Sequence, residues 1–468
     1  MVTIKNSDIL AALVFALLAA VVHPLLLYIV AGLTILYSYY EHSQKFILPF
    51  AILSYLILVS DIDERIRLTI NIFNFLALGY LFFREYGIEI KIYKKLPREL
   101  IAFFSMIFLS MLLSTVFSES MLTGFKEIGR TLLFTLIIYW FYSFIKDIKN
   151  IFIYLNAIMA AGIIISIYIM VEFINSDKLQ YLLLSSGFVT VGGFFTNSTA
   201  VGGFLAITIS LSMAYLFLNQ LTEVKKYFIW TFIVLQLFSL LLTNARAAIL
   251  AAAISNIFII FKLRKKLFRK IILFSAIIFS ILFFIPQFNL IFDSFFRTNR
   301  VLENTRYYLW EMAWGMIRSH PVFGVGPGMF RNYMYTYLPV PLGSWTEQQI
   351  YVLQKIAAAP AHNFFLLQAS ELGLAGLFVS IYLFFIFFKF CAAAMRLTYL
   401  QSKQEYILSV AITGIGLGLF ARSFFESTGI FTNGWIARDL PFWILFAIII
   451  FMNEKNKNKI VKSGKLSK

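Results

Sequence analysis

From its amino terminus the chain alternates apolar runs with short polar breaks, and this rhythm predicts helices rather than strands. Candidate membrane spans lie near 9–22, 24–40, 46–60, 68–83, 101–117, 131–145, 151–173, 201–219, 227–243, 246–262, 271–286, 363–390, 406–425 and 441–452. Several are shorter than the ~20 residues a bilayer core requires, so the pattern predicts about 12 to 14 transmembrane helices. The first run, Ile9 to Val22, passes at once into the second, which predicts an uncleaved anchor. The only long polar excursion divides the chain. N-terminal transmembrane helices are expected over 1–286, a loop over 287–361, C-terminal transmembrane helices over 362–452, and a basic tail over 453–468. The fold class is therefore all-α, a polytopic integral membrane protein.

The loop has a pattern of its own. Asn304-Thr305 offers an N-cap, and Tyr307, Trp310, Trp314 and Ile317 then recur at helical spacing. This predicts a helix near 305–319 that ends before Pro321 and packs its aromatic face on the span ends as a lid. Gly324-Val325-Gly326-Pro327-Gly328 predicts a tight multi-turn element. Between 174 and 200, Gly187, Gly192 and Gly193 precede Asn197. That stretch reads either as irregular backbone dipping toward the membrane, tolerable only where buried or lining a cavity, or as a glycine-rich turn.

Composition agrees with the membrane reading: of 468 residues, 60% are hydrophobic and 13% charged. A single cysteine, Cys391, excludes a disulfide framework and a thiolate metal site. The net charge of +17 invites a nucleic-acid partner, but the positions of the cations argue against one. Arg84 with Lys91, Lys94, Lys95 and Arg98; Lys262 with Arg264, Lys265, Lys266, Arg269 and Lys270; and the tail from Lys455 all fall on one side when the spans alternate. The positive-inside rule makes that side the cytoplasm, with both termini there. The same alternation places Asp61-Asp63-Glu64, residues 174–200, Arg246, the 287–361 loop and Glu426 to Arg438 on the opposite face.

Arg246, in Thr243-Asn244-Ala245-Arg246, has no carboxylate three or four residues away. It reads as an arginine snorkelling to headgroups or as one waiting for an anion such as phosphate. Arg306 opens the loop helix, where a cation opposes the helix dipole. It is either a solvated surface residue or part of an anion site beside free backbone N–H groups. His362, at the mouth of the span that follows the loop, is either a hydrogen-bonded helix-start residue or a general base. Asn197, Asn363, Gln368 and Trp310 are candidate substrate contacts. His320 is expected to fix a turn, Arg422 and Glu426 to form an i, i+4 pair, Arg438 and Asp439 to lie in a loop, and Arg297, Arg300 and Arg318 to be solvated. No DxD, HExxH or P-loop pattern is present, and no metal or other cofactor is expected. Two arginines and a histidine on the outer face suggest displacement of a diphosphate leaving group by a hydroxyl, the arginines neutralising the leaving charge.

These residues carry a resemblance. His362-Asn363, nine residues, then Gly373-Leu374-Ala375-Gly376 resembles the pattern of the O-antigen ligase/polymerase family of bacterial envelope glycosyltransferases. Arg246 to Leu250 is similar to that family's R-x3-L element. Arg306-Tyr307-Tyr308-Leu309-Trp310, followed by His320-Pro321-Val322-Phe323-Gly324-Val325-Gly326-Pro327-Gly328, looks like its loop signature, and Gly193 to Ala200 like an upstream element. The likeness covers about 190 to 380. Where ligases often continue Thr-Met after the last glycine, Leu377-Phe378 stands here. The resemblance implies a GT-C-like helical bundle with a periplasmic active site in the bacterial inner membrane. It also implies an undecaprenyl-diphosphate-linked glycan donor and metal-independent, inverting transfer. Arg246 and Arg306 would hold the diphosphate and His362 would activate the acceptor, a hydroxyl of lipid A–core for a ligase or of another lipid-linked repeat unit for a polymerase. A protein O-oligosaccharyltransferase would use the same donor. A lipid or anion transporter is the rival from a different class.

Overall fold

A computed structural model describes residues 44–57, 64–87, 94–175, 198–218, 222–284, 305–338, 360–399, 401–432 and 436–462. The expected spans at 9–22 and 24–40 lie outside these residues. So do Asp61, Asp63, the glycines of 174–200 with Asn197, Arg297, Arg300, Asn304 and the last residues of the basic tail.

The protein is all-helical, 84% helix without strands among the described residues. In chain order the helices are α1 (Gln44–Ile57), α2 (Glu64–Tyr86), α3 (Arg98–Val116), α4 (Met121–Phe144), α5 (Ile148–Asn175), α6 (Ser198–Tyr215) and α7 (Glu223–Leu242). They continue with α8 (Arg246–Leu263), α9 (Lys265–Phe283), α10 (Thr305–Ser319), the single turn α11 (Phe330–Tyr333), α12 (Phe364–Tyr399), α13 (Lys403–Ser423) and α14 (Ile436–Lys462). Eight of these, α3, α5 to α8 and α12 to α14, are long and apolar enough to cross a membrane. This is a multi-pass membrane protein.

Two units can be described separately, one comprising residues 1–93 and 139–249, the other 94–138 and 250–468. In the first, α5, α6 and α7 pack on one another and α1 packs on α2 and α5. Helix α6 is buried on nearly every side. It fits because small residues let the backbones close in: Gly162 of α5 abuts Thr208, and Gly202 abuts Ala245 and Ala248. Ser239 Oγ donates to the Ser166 carbonyl at 3.1 Å, a polar tie between two apolar helices.

The second unit is built around α12, which packs on α3, α13 and α14. Gly416 of α13 receives the Phe387 ring, and Gly414 and Gly418 receive Ser255 and Ala251 of α8. Trp443 of α14 lies among Phe103, Phe104, Phe134 and Phe431, and its Nε1–H donates to the Ile430 carbonyl at 2.7 Å.

Helix α12 is kinked where its helical conformation breaks. Gly373 has φ 69° and ψ −161°, outside the helical region, so the carbonyls of the turn before it lack their usual i+4 donors. A docking segment supplies replacements: Val325 N–H donates to Ser370 O at 2.9 Å and Gly326 N–H to Glu371 O at 3.0 Å, while Leu374 N–H returns to Pro321 O at 2.9 Å. Ser114 Oγ of α3 adds a second donor to Glu371 O at 2.7 Å. The fit needs glycine on both sides. A side chain on Gly373 would run into the Val322 carbonyl, and one on Gly324, also at positive φ, into the Glu371 carbonyl. Gly324 and Gly373 are thus the two faces of one backbone-to-backbone joint.

Two expectations need correction. Helix α10 spans Thr305–Ser319, but it turns inward Leu309, Met312, Ala313 and Met316, which pack with Val325, Met329, Phe330, Met334 and Leu367. Tyr307 and Trp314 of the supposed packing face are exposed. The aliphatic stripe at 309, 312, 313 and 316 has the same period and competes better for a closely packed interior. Arg438 and Asp439 lie in the first turn of α14 rather than in a loop, and that helix runs past 452 to Lys462.

Candidate functional site

The segment between α13 and α14 folds back as an irregular connection. Asp439, fully buried at the start of α14, accepts from Gly429 N–H at 3.0 Å and from Thr432 Oγ1 at 2.9 Å, and also from Thr432 N–H. Arg422, at the end of α13, donates to the Thr428 carbonyl. These bonds fix the loop that carries Glu426.

Glu426 is 2% exposed and divides its carboxylate between two distant side chains. Oε1 accepts from Arg306 Nη2 at 2.7 Å, and Oε2 lies 3.0 Å from His362 Nδ1. Arg422, the partner expected from the i, i+4 spacing, contributes charge to the same carboxylate. Glu426 thus reaches well beyond the local pair. Burial alone would raise its pKa, but the hydrogen bond from His362 and the charges of His362, Arg422 and Arg306 hold its carboxyl below the ordinary carboxylate range.

His362 is placed by its backbone as much as by its partner. It has φ 48°, one of two non-glycine residues at positive φ among those described, a conformation that costs about 1–3 kcal/mol and tends to mark functional positions. Asn363 follows as the cap of α12, its Oδ1 accepting Leu366 N–H at 3.0 Å and its Nδ2 donating to the Phe424 carbonyl at 3.0 Å. The other positive-φ residue is Asn244, two positions before Arg246, whose N–H donates to the Asn244 carbonyl at 3.1 Å. Arg246 opens α8 and belongs to the first unit; Arg306, His362 and Glu426 belong to the second.

A cavity of about 540 Å³ lies beside His362, lined by Leu250, Trp310, Asn363, Phe420, Ala421, Phe424 and Phe425. Its walls are almost wholly apolar, yet the buried Trp310 Nε1–H has no hydrogen-bond partner among the described residues. An indole N–H left unpaired costs on the order of 1–3 kcal/mol unless something accepts from it.

The structure therefore brings together Arg306, His362, Asn363 and Trp310. Gln368 is buried one turn further along α12, where its Nε2 donates to the Phe431 carbonyl at 3.3 Å and ties the helix to the connection. His320 serves the docking segment: its carbonyl accepts Gly324 N–H at 3.0 Å and its ring lies near Tyr337. Asn197 lies outside the described residues. Sequence reasoning missed the centre of the site, Glu426. The available signal was an acid in a connection otherwise rich in small and aromatic residues.

Residues 231–381 match the family model described as O-antigen ligase, so the chain resembles that family over this stretch. Arg246, Arg306, the 320–328 docking segment and His362 to Gly376 all fall inside the match; Glu426 falls beyond it. No curated protein matches the chain.

Proposed function

We propose that the protein is an O-antigen ligase of the bacterial inner membrane. It would transfer a glycan from undecaprenyl diphosphate to a hydroxyl of lipid A–core on the periplasmic face, with both termini in the cytoplasm. The observation that carries this reading is that a histidine and an arginine, both within the matched residues, share one buried carboxylate beside an apolar cavity.

The chemistry follows from the groups. With Nδ1 engaged by Glu426, His362 has Nε2 for the acceptor hydroxyl. The hydroxyl oxygen attacks the anomeric carbon and its proton passes to Nε2. The bond from that carbon to the diphosphate oxygen breaks, and its electron pair leaves with undecaprenyl diphosphate. Attack from the face opposite the leaving group inverts the anomeric centre. Arg306 and Arg246 neutralise the charge growing on the diphosphate, the role a metal ion plays elsewhere, so the reaction is metal-independent. Asn363 and Trp310 contact the donor from the cavity rim, and the aromatic walls suit the hydrocarbon of the carrier. The imidazolium formed is balanced by Glu426 until it returns its proton to water.

His362→Ala and Arg246→Ala are expected to abolish transfer in an assay with lipid-linked donor and lipid A–core, while the variants still accumulate in the membrane. Full transfer by either variant removes that residue from the mechanism, and inhibition by a chelator refutes the metal-free step. In a deletion strain, loss of all capped lipopolysaccharide with long polymer still on the carrier identifies a ligase. A single capped repeat identifies a polymerase instead.

A further inference from the structure

We infer that Glu426 is the positioning residue of the site: one carboxylate fixes His362 in the tautomer that can act as a base and holds Arg306 beside it. The inference rests on the reading of His362 as the base, and it concerns a residue outside the matched stretch.

The argument is one of donors and acceptors. Glu426 is buried and presents two acceptor oxygens and no donor. Arg306 can only donate, and it occupies Oε1 at 2.7 Å. Oε2 lies 3.0 Å from His362 Nδ1, and between an ionised carboxylate and a ring nitrogen that contact is a hydrogen bond only if Nδ1 carries hydrogen. A neutral imidazole with hydrogen on Nδ1 has its lone pair on Nε2, the form a base requires. The charged groups that face this carboxylate are Arg306 from α10, His362 from the start of α12 and Arg422 from the end of α13, and Arg422 is in turn balanced by Asp439 of α14. Each comes from a different segment, so Glu426 also joins α10 to α12 at the site. When a diphosphate draws Arg306 toward itself, Glu426 keeps its bond to His362, and the base stays aligned while the arginine moves.

Glutamine at this position keeps the shape and breaks the logic. Its amide offers one acceptor and one donor. The oxygen goes to Arg306, because an NH₂ group there would face a second donor. The NH₂ then faces Nδ1, which must become an acceptor, and the hydrogen moves to Nε2, where it blocks the base. Glu426→Asp keeps two acceptors on a shorter stem.

The chain has four histidines, so imidazole ¹⁵N labelling with His362→Ala as the assignment control reads the tautomer in detergent-solubilised full-length protein, without substrate. The wild type is expected to carry hydrogen on Nδ1 of His362 and Glu426→Gln on Nε2. In transfer assays Glu426→Gln should lose about a hundred-fold or more in kcat with a donor KM within a few-fold of wild type, and Glu426→Asp should recover part of that loss. A merely structural carboxylate would lower the amount of folded enzyme and leave its kcat and tautomer alone. Hydrogen on Nε2 in the wild type overturns the inference even if no variant folds. So does a Glu426→Gln enzyme with wild-type kcat while His362→Ala is inactive, a result that leaves the proposed function standing. An active His362→Ala enzyme overturns both.

Discussion

The connection between α13 and α14 is flanked by two buried carboxylates with contrasting surroundings. Asp439 is satisfied from within: Gly429 and Thr432, a few residues earlier in the same connection, supply its donors. Backbone N–H groups and a threonine hydroxyl cannot leave, so this carboxylate serves as a rivet. Glu426 is satisfied from far away, by the tips of Arg306 and His362. Those side chains are 28% and 23% exposed and long or rotatable, which suits the proposed exchange of a carboxylate for a substrate. Burial is nearly the same for both acids. On the proposed reading, what separates a structural carboxylate from a functional one is whether its partners can also engage a substrate.

Removing the rivet should have the largest effect on folding. Asp439→Ala strands buried donors of Gly429 and Thr432, and a loss of about 3 kcal/mol should appear as a lower thermal midpoint in detergent. The kcat of the protein that remains folded should fall far less than in Glu426→Gln. If the two variants lose stability and kcat in the same proportion, the contrast collapses.

Acid should separate the sites next. Glu426 has a depressed pKa in the folded protein. Its stabilising contribution is therefore complete above the unfolded-state value and is lost as pH falls through the folded one. The contribution of Glu426, read as the difference in midpoint between wild type and Glu426→Gln, should hold steady from neutrality down to the ordinary carboxylate range, about pH 4.3, and shrink below it. A difference that does not shrink would mean that Glu426 is not held ionised by its neighbours. The smallest effect should come from Thr432→Val. It deletes a single hydroxyl donor to Asp439, should cost about 1 kcal/mol, and should leave transfer unaltered in an activity assay of equal amounts of folded protein.

Much of the fold was legible because apolar runs in a membrane protein have few alternatives to helix, and the runs near 101–117, 151–173 and 406–425 each coincide with a helix. The candidate site was legible at its motif residues: Arg306 and His362 stand out locally, and the structure brings both onto Glu426. Helix α10 shows the limit. Its aromatic and aliphatic stripes share one period, and only tertiary packing decides that Leu309 and Met312 go inside while Trp314 stays out. Gly373 shows another, since a glycine in an apolar run does not announce a break until the segment that docks on it is known. Glu426 is the clearest case. Spacing rules see four residues and gave Arg422, which does act on the carboxylate, whereas its hydrogen-bond partners Arg306 and His362 come from other segments of the chain.

The joint between Pro321–Gly326 and Ser370–Leu374 has a consequence for tolerance to change. Its three backbone bonds close the chain between Gly326 and Ser370 into a ring whose ends are fixed independently of what it encloses. Ring closure penalises length only logarithmically, about 0.6 kcal/mol for each doubling. A change of length inside that ring, away from the packed Met329, Phe330, Met334 and Leu367, should therefore cost little in closure entropy and leave the joint intact.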